Sequence, residues 1–556
     1  MVDLSKKPFY LTQDQIHFVE ELIDGMSIEE KIGQLFIPIS HATAPGYLDH
    51  QILKYKPGGV MFRPGDGEAL RNAHAYLQSR SRIPMLVGAN LESGGSGIAA
   101  NGTFLGSQME VAATGDAENA YRLGKVACSE GRAVGVNWAF APVVDVDRNW
   151  RNPITNVRTY GDDPERVLRC AMQYKKGADE EGVAVAIKHF PGDGIDEVDH
   201  HILTSVNSLS CEEWDESYGK IYQTLIDDGA QTVMVGHIAM PAYQKKYNPD
   251  FPDELIPASL SPELLKGLLR EKLGFNGLIT TDSTCMVGFS SAMARRRALP
   301  HCIESGCDML LFNKVLAEDI QYMTEAYEQG EVSEERLHEA LERILGLKMS
   351  LGLFDERGAE DQLDILSDPT HRAWAAQVAD ESVTLVKDTQ KLLPLSPEKT
   401  RRVLLEIMGD SPSNERVLSY MHRKLEAEGF QVEDYVHETV ENHDFSVETF
   451  RSKYDLVLYL GNVENASNQV TNRLRWFTFF GNGNNCPWFT AERPVLFVSL
   501  ANPYHLVDIP QVKTYINAYA NDNVVLDAVV EKLMGRSPFK GLSPVDPFCG
   551  KDYLKY

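Results

Sequence analysis

The stretch AIKHFPGDGIDEVDHH, residues 186–201, decides the fold prediction because a buried strand ends in it and a charged loop begins. The apolar residues that run up to Lys188 are typical of a strand covered on both faces. The loop that follows contains Pro and Gly together with several carboxylates and imidazoles. Taken alone, this loop fits a solvated turn as well as it fits a functional site. Other parts of the sequence are needed to distinguish a solvated turn from a functional site.

Seven more apolar runs resemble this strand, and helical patterns fill most of the intervals between them. Eight strands that alternate with helices predict a (β/α)8 TIM-like barrel over residues 1–352. The polar residues 353–375 predict a linker, and residues 376–556 predict a smaller α/β sandwich domain with a parallel sheet. The other predicted strands are 34–39, 59–62, 85–89, 138–146, 232–238, 277–282 and 308–312 in the barrel and 383–386, 403–407, 456–460 and 495–500 in the second domain.

One segment of the second domain fits two interpretations. NRLRWFTFFGNGNNCPWF, Asn472–Phe489, is aromatic and rich in glycine. We favour a core segment that turns into a loop. The alternative is a segment that reaches the mouth of the barrel and shapes the pocket there.

Charge and hydropathy exclude several classes of partner. The 556 residues carry a formal net charge of −26, which repels nucleic acid and anionic membrane surfaces. No apolar run approaches the roughly 18 residues of a membrane-spanning helix. The N-terminus lacks the apolar stretch and the cleavage site of a signal peptide. The sequence therefore predicts a cytoplasmic protein without nucleic-acid or membrane partners, and it leaves the oligomeric state open.

Polar side chains follow the predicted barrel strands at one end. In barrels of this kind, the reacting residues come from the C-terminal strand ends. Each of these residues alone fits a solvated loop better than a function, but chance explains the whole set less well. In chain order they are Arg63, Asn90, Glu92, Asp145, Asp147, Lys188, His189, His237, Asp282 and Asn313.

Asp282 is a candidate nucleophile. It ends the apolar run GLITTD. A carboxylate that is fixed at a strand end among apolar residues suits a nucleophile that attacks along one direction. The same position also suits the N-cap of the following helix, and the spacing alone favours capping.

Asp199 and His201 are two residues apart, which places both side chains on one side of an extended segment. An Asp oriented toward an imidazole fixes its tautomer and raises its pKa, which gives a proton donor that works near neutral pH. Together with His189, His200 and His237, His201 could instead gather around a divalent ion. No HExxH motif and no zinc-like cysteine spacing accompanies them. The sequence therefore predicts no metal and no other cofactor.

These motifs resemble the β-N-acetylglucosaminidase branch of glycoside hydrolase family 3. That branch carries a loop KHFPGHGxxxxDSH and a strand end SDDLSM, which here read KHFPGDGIDEVDHH at 188–201 and TDSTCM at 281–286. Residues 136–165 and 233–243 resemble its NFAPVxDVxxxxxNPxxxxRSFGxDP and MxxHxxYP segments. The resemblance covers roughly residues 10–352 and extends more loosely to the second domain.

The resemblance implies a retaining reaction. Asp282 falls on the nucleophile, His201 on the general acid/base and Asp199 on its orienting partner. The positions that it implies for binding the small-molecule glycan substrate are Lys188, His189, Arg158, Asn90 and His237.

Some residues depart from the family pattern. Asn90 stands where the family has a sugar-binding Asp, and Asp193 and Thr284 replace the usual His and Leu. Because the family's Asp-Ser-His reads Asp-His-His here, either His200 or His201 could be the acid, and the register favours His201. These changes bear on substrate choice more than on the class of reaction.

The leading hypothesis is a retaining, exo-acting β-N-acetylglucosaminidase that removes terminal β-linked N-acetylglucosamine from small glycans such as peptidoglycan fragments. A phosphorylase is the first alternative, because some relatives with a histidine acid pass the sugar to phosphate. A β-glucosidase is less favoured, since that branch usually takes its acid, a glutamate, from the second domain. The alternative outside enzymes is an inactive sugar-binding protein. The natural substrate stays open.

Overall fold

The computed structural model describes residues 2–355, 362–437, 446–464, 467–476 and 485–556. The chain divides into two compact units. The first consists of residues 1–105, 120–152 and 164–372, and the second of residues 106–119, 153–163 and 373–556. The domain boundaries predicted at 352 and 376 stay a prediction, and residues 356–361 of the predicted linker lie outside the described residues. The helix Pro369–Ser382 begins inside that linker, where His371 Nδ1 bonds the buried Glu130 at 2.8 Å.

The first unit contains a barrel whose strands, among the described residues, number eight when the two short pieces on either side of Pro38 count as one. Neighbouring strands are parallel. The first piece pairs with the last strand, and a bridge between Thr280 and Met309 joins that strand to the seventh, so the sheet closes on itself. The strands are Phe36–Ile37 with Ile39–Ser40, Gly59–Phe62, Leu86–Ala89, Trp138–Ala139, Ala184–Phe190, Thr232–Val235, Leu278–Thr281 and Leu310–Leu311.

Side-chain volume fills the barrel, which explains why one strand position is glycine. A Cβ on Gly88 would lie 2.3 Å from Cζ of the Phe140 ring, so a larger residue there would displace that ring. Phe140 packs edge-on against Trp138, whose Nε1–H donates to Thr232 Oγ1 at 2.8 Å. Buried side chains thus join the third, fourth and sixth strands through the interior, and the predicted barrel is confirmed.

Helices separate the strands and begin where the sequence supplies caps. Thr12 and Ser27 form capping boxes at the first two helices, and each cap stabilises its helix by about 1 kcal/mol. None of the helices in the described part of the chain is long and apolar enough to cross a membrane. The α-helices up to the end of the barrel are Gln13–Asp24, Ile28–Gly33, Pro45–Gln51, Gly67–Arg80, Gln108–Ala113, Glu118–Ala133, Pro164–Glu180, Cys211–Trp214, Lys220–Asp227, Pro241–Tyr247, Val287–Ser290, Arg295–Ser305, Leu316–Glu328 and Glu334–Ser350, with π-helical turns at Asp215–Gly219 and Glu263–Lys272.

The second unit contains a six-stranded sheet within the residues that the structure describes. Its first strand, Thr384–Asp388, runs antiparallel to Thr514–Asn517, so the prediction of a parallel sheet is wrong at this edge. The sequence pattern also missed two strands, the buried Thr514–Asn517 and the edge strand Gln431–Asp434, which is largely exposed and has no apolar run. In spatial order the strands are Thr384–Asp388, Thr514–Asn517, Val495–Ser499, Leu456–Gly461, Arg402–Met408 and Gln431–Asp434, and the α-helices Asn414–Ala427, Val447–Lys453 and Asn523–Leu533 accompany them.

The aromatic segment Asn472–Phe489 lies partly outside the described residues, which omit 477–484. Its two described ends pack into the core of the second unit. Leu474 and Phe489 are buried in that core, and Phe489 stacks on Phe450 with ring centroids 4.6 Å apart. The ends thus have the character of core chain, and the question of whether the segment reaches the barrel mouth stays a prediction.

Candidate active site

Asp282 lies directly after the barrel strand Leu278–Thr281, and its position is set by the neighbouring strand. Its backbone N–H donates to Val235 O at 2.8 Å. Its Oδ1 accepts the N–H of Ser283 at 2.6 Å, and its side chain is 13% exposed. The remaining oxygen, Oδ2, faces the Nε2 atoms of His189 and His200, each at 3.9 Å. The carboxylate is therefore fixed, and one oxygen points into a ring of imidazoles.

The electrostatics of this position keep Asp282 ionised. Burial alone would raise its pKa, but the attraction of neighbouring histidines, His189 foremost, outweighs burial and holds the pKa of Asp282 below its usual range. An ionised carboxylate with one accessible oxygen is the form that a nucleophile requires.

His201 and Asp199 form the predicted dyad. The Nδ1 of His201 lies 2.7 Å from Asp199 Oδ1, and the same oxygen accepts the backbone N–H of His201 at 2.8 Å. Because a carboxylate can accept but not donate, Nδ1 carries the proton, and Nε2 is the atom that can exchange one. His201 is 19% exposed while Asp199 is buried. An accessible imidazole that a buried carboxylate orients is suited to act as an acid and a base.

His200, the other candidate for the acid, has a different environment. Its ring is fully buried, and burial lowers its pKa well below the ordinary value. Within the described residues its Nε2 has no carboxylate within hydrogen-bond distance, since Asp193 Oδ2 is 3.8 Å and Asp282 Oδ2 is 3.9 Å away. The geometry therefore favours His201 over His200 as the proton donor, in agreement with the register of the motif.

Lys188 and His189 hold acidic partners that the sequence did not assign to the site. Lys188 Nζ lies 2.6 Å from Glu92 Oε1, and both side chains are largely buried. His189 Nδ1 lies 2.7 Å from Asp145 Oδ2, and Asp145 Oδ1 accepts the backbone N–H of His189 at 3.1 Å. Glu92 and Asp145 follow other barrel strands, so their position at strand ends was the available signal, while the pairing itself required the fold.

The predicted sugar-binding residues Asn90, His237 and Arg158 differ in their surroundings. Asn90 is exposed at the end of the strand Leu86–Ala89. Arg158 lies in a short turn of residues 153–163, which belong to the second unit. The binding roles of both residues stay predictions.

His237 is buried and has contacts at both ring nitrogens. Its Nδ1 lies 2.9 Å from Ser259 Oγ, and its Nε2 lies 2.9 Å from the carbonyl oxygen of Ser283. Burial lowers the pKa of His237 below its ordinary value. These contacts give His237 a part in holding the residue next to Asp282, and the predicted contact with sugar stays a prediction.

Two groups of residues have the donor types of a metal site. The ligand atoms of His189, His200 and Asp282 lie within 4.8 Å of one another, as do those of Asp199, His200 and His201. The hydrogen bonds oppose metal ligation by His200, because its Nδ1 accepts the backbone N–H of His237 at 3.4 Å and so leaves the proton on Nε2. The expectation that no metal is resident stays a prediction.

Comparison with known proteins gives the family. A family model described as the glycosyl hydrolase family 3 N-terminal domain matches residues 27–347. The β-N-acetylglucosaminidase/β-glucosidase of Cellulomonas fimi is 42% identical over 573 residues and covers 99% of both chains.

Solved structures show the same architecture. The β-glucoside phosphorylase BglX matches with a TM-score of 0.93 and 44% identity, covering 99% of each chain. A family 3 β-N-acetylglucosaminidase from Paenibacillus sp. str. FPU-7 shares the fold with a TM-score of 0.80 at 23% identity, covering 94% of this chain and 99% of its own. With the family model covering more than half of the residues and a full-length relative beside it, the chain belongs to glycoside hydrolase family 3.

Proposed function

We propose that the protein is a retaining, exo-acting β-N-acetylglucosaminidase that also accepts β-glucosides. The observation that carries this proposal is the pairing of an ionised Asp282 at a strand end with the accessible His201, which Asp199 orients. A carboxylate nucleophile and a separate proton donor are the two groups that retention of configuration requires.

The chemistry follows in two steps. Asp282 attacks the anomeric carbon, the bond from that carbon to the leaving oxygen breaks, and His201 Nε2 gives its proton to that oxygen. An acceptor then attacks the same carbon, its proton passes to His201, and the electron pair of the sugar–Asp282 bond returns to the carboxylate. Two inversions at one carbon give net retention.

The substrate class is supported by the polar groups around Asp282 and by the relatives. Lys188 paired with Glu92 and His189 paired with Asp145 present fixed donors and acceptors that suit sugar hydroxyls. The relative from Cellulomonas fimi carries both activities in its name. Small glycans with a terminal β-linked N-acetylglucosamine or glucose are therefore the substrates to test, with peptidoglycan fragments as a natural source.

Phosphate is the second candidate acceptor. The solved relative at 44% identity is a β-glucoside phosphorylase. An imidazole is neutral after it has given up its proton, so it repels an anionic acceptor less than the usual carboxylate acid/base does. The neutral charge of the deprotonated imidazole favours phosphorolysis as an activity of the same site. The first step of the reaction would be unchanged.

The test is release of 4-nitrophenol from its β-N-acetylglucosaminide and its β-glucoside, with and without phosphate. We expect turnover of both substrates, and NMR of the first product formed should show the β-anomer in water. A sugar 1-phosphate that forms in phosphate buffer would identify the phosphorylase. An α-anomer as first product would contradict retention, and inertness toward both glycosides would favour the inactive sugar-binding protein.

A further inference from the structure

His200 occupies a position that the reaction described above does not use. The ring is fully buried and packs edge-on against His189 and His201, with ring centroids 5.2 and 5.1 Å away. Its Nδ1 accepts the backbone N–H of His237 at 3.4 Å. A backbone amide can only donate, so the neutral ring must carry its proton on Nε2. His200 is thus a buried imidazole whose tautomer the backbone selects.

The N–H of His200 points between two carboxyl groups. Its Nε2 lies 3.9 Å from Asp282 Oδ2 and 3.8 Å from Asp193 Oδ2. Neither His200 Nε2 nor Asp193 Oδ2 has a hydrogen-bond partner in the described part of the chain. A buried donor without a partner destabilises the folded protein, so this arrangement needs an explanation.

Asp193 does not compete for this N–H. Its Oδ1 accepts the side chain of Asn152 at 3.0 Å and the N–H of Gly194 at 2.7 Å. Burial, and then the negative charge of Asp145, raise the pKa of Asp193 well above its usual range. A neutral carboxyl group neither attracts the N–H of His200 strongly nor repels the charge of Asp282. The donor is therefore left to the nucleophile.

The two histidines that flank Asp282 Oδ2 at equal distance are held by different partners. His189 donates its Nδ1–H to Asp145 Oδ2 at 2.7 Å. His200 presents an N–H, which suits an oxygen that gains negative charge.

We propose that His200 is the hydrogen-bond donor that stabilises Asp282 Oδ2 as the glycosyl-enzyme breaks down. This inference rests on the proposed function. In the breakdown step the acceptor oxygen attacks the anomeric carbon, the bond to Asp282 breaks, and its electron pair returns to the carboxylate. The gap of 3.9 Å in the free enzyme closes by a small rotation of the carboxylate, as catalytic hydrogen bonds tighten during reaction.

The experiment compares His200→Leu with His200→Gln, which keeps an N–H at a similar reach. Because nitrophenol is a good leaving group, we expect formation of the glycosyl-enzyme to be fast and its breakdown to limit kcat. We expect His200→Leu to lower kcat by about 10- to 100-fold and KM in parallel, with kcat/KM nearly unchanged. The glycosyl-enzyme should accumulate and be visible in the intact mass of the protein. His200→Gln should restore most of kcat.

Two further variants separate this role from a structural one. His74→Leu removes another buried histidine of the same barrel, one whose Nδ1 bonds Val134 O at 2.6 Å, and it should leave kcat and KM unchanged. Asp193→Asn should retain wild-type kinetics, because the amide resembles the protonated carboxyl group. If His200→Leu does not fold, measurements of kcat, kcat/KM and glycosyl-enzyme accumulation in His200→Gln and Asp193→Asn test the proposal.

The outcomes are distinguishable. The inference is overturned if His200→Leu loses kcat and kcat/KM equally, if it resembles His74→Leu, or if no glycosyl-enzyme accumulates. A large change of kcat in Asp193→Asn would also overturn it, because an ionised Asp193 would then be required. Failure of the proposed function has another signature, since the wild-type enzyme would then show no turnover of either glycoside.

Discussion

The two sheets of this protein both gather polar side chains at the carboxyl ends of parallel strands, but these side chains differ in their hydrogen bonding. In the second unit, Glu464 accepts hydrogen bonds from the side chains of Ser413, at 2.6 Å, and Asn521. In the barrel, His200 Nε2 and Asp193 Oδ2 are buried and lack partners among the residues described. The Glu464 carboxylate therefore has hydrogen-bond partners at its edge, whereas the facing His200 and Asp193 atoms in the barrel have none among the described residues.

This difference indicates that the carboxyl edge of a parallel sheet can serve either stability or catalysis. A buried polar atom without a partner costs about 1–3 kcal/mol. Such atoms persist where a ligand or a transition state completes their hydrogen bonds. We therefore expect substitutions at the barrel edge to change turnover, whereas substitutions at the edge of the second sheet should change stability.

The largest effect is expected for Asp282→Asn at the barrel edge. The amide has nearly the same shape but cannot attack the anomeric carbon, so kcat/KM should fall by about 10⁴-fold or more. The fold should be retained, because the backbone N–H of residue 282 still donates to Val235 O and the amide oxygen can still accept the N–H of Ser283. Nitrophenol release and thermal unfolding measure the two quantities on one sample.

Asp308→Asn is the matched control at the opposite end of the barrel. Asp308 precedes the last strand, and its Oδ2 accepts Arg270 Nη2 at 2.7 Å and the N–H of Ile279 at 2.8 Å. Loss of a buried ion-pair partner should lower the free energy of unfolding by about 3–5 kcal/mol, while the folded enzyme keeps its kcat. Similar losses of kcat in both variants would argue against a division of the barrel into a reactive and a structural end.

The next effect is that of His201→Ala, and its size should depend on the leaving group. A methyl glycoside needs protonation, so its kcat/KM should fall by about 10²- to 10⁴-fold. Nitrophenol is a good leaving group, so the initial burst should survive and the steady state should slow. Stopped-flow release of nitrophenol and methanol release measure the two cases. An equal loss for both substrates would contradict a role for His201 in proton transfer.

The fold was largely predictable from the sequence because the spacing of apolar residues and the polar or glycine-rich turns between the apolar runs encode it. Each barrel strand appeared as an apolar run that ends in a polar or glycine-rich loop. The pattern failed in the second unit, where it missed the strands Gln431–Asp434 and Thr514–Asn517 and the antiparallel direction of Thr384–Asp388. Gln431–Asp434 is exposed at an edge, and the antiparallel direction of Thr384–Asp388 depends on pairing with Thr514–Asn517, a strand more than a hundred residues away that leaves no mark on the local sequence.

The part of the candidate site that consists of residues close together in the sequence was predictable. Asp199 and His201 meet because they are two residues apart, and the structure brings them within 2.7 Å. Asp145 and Glu92 become part of the site through contacts with residues on other strands, which needed the closed barrel. The environment of His200 needed more still, because its tautomer follows from one backbone amide of another strand end.

Acid should weaken both units by the same mechanism. His74 in the first unit and His505 in the second are buried, and burial lowers the pKa of each to about 4 from 6.5. Between these values the unfolded chain binds protons that the folded chain excludes, so stability is complete above pH 6.5 and falls as the pH drops toward 4. The full shift corresponds to about 3 kcal/mol for each histidine.

Urea unfolding across this pH range measures the loss. His74→Leu should flatten the pH dependence of the first unit and leave that of the second unchanged, because the group that takes up the proton on unfolding has been removed. A pH dependence that stays the same in both units of this variant would show that His74 remains neutral in the unfolded chain or is protonated in the folded one.

The smallest effect on turnover is expected for Glu464→Gln, which tests the comparison from the side of the second unit. A β-glucosidase that takes its acid from a glutamate of the second domain would lose activity on methyl glycosides with this change. In this protein, Glu464 accepts hydrogen bonds from Ser411, Ser413 and Asn521, and that network joins the loops that follow three strands of the sheet. We expect kcat to be unchanged and the free energy of unfolding to fall by about 1 kcal/mol, with a loss of up to about 3 kcal/mol in Glu464→Ala.

Denaturant titration measures the free energy of unfolding of the Glu464→Gln variant, and turnover of a methyl glycoside measures its kcat. A loss of turnover without a loss of stability would move the proton donor from His201 to Glu464 and would mean that a carboxylate saturated with hydrogen bonds in the free enzyme is released when substrate binds.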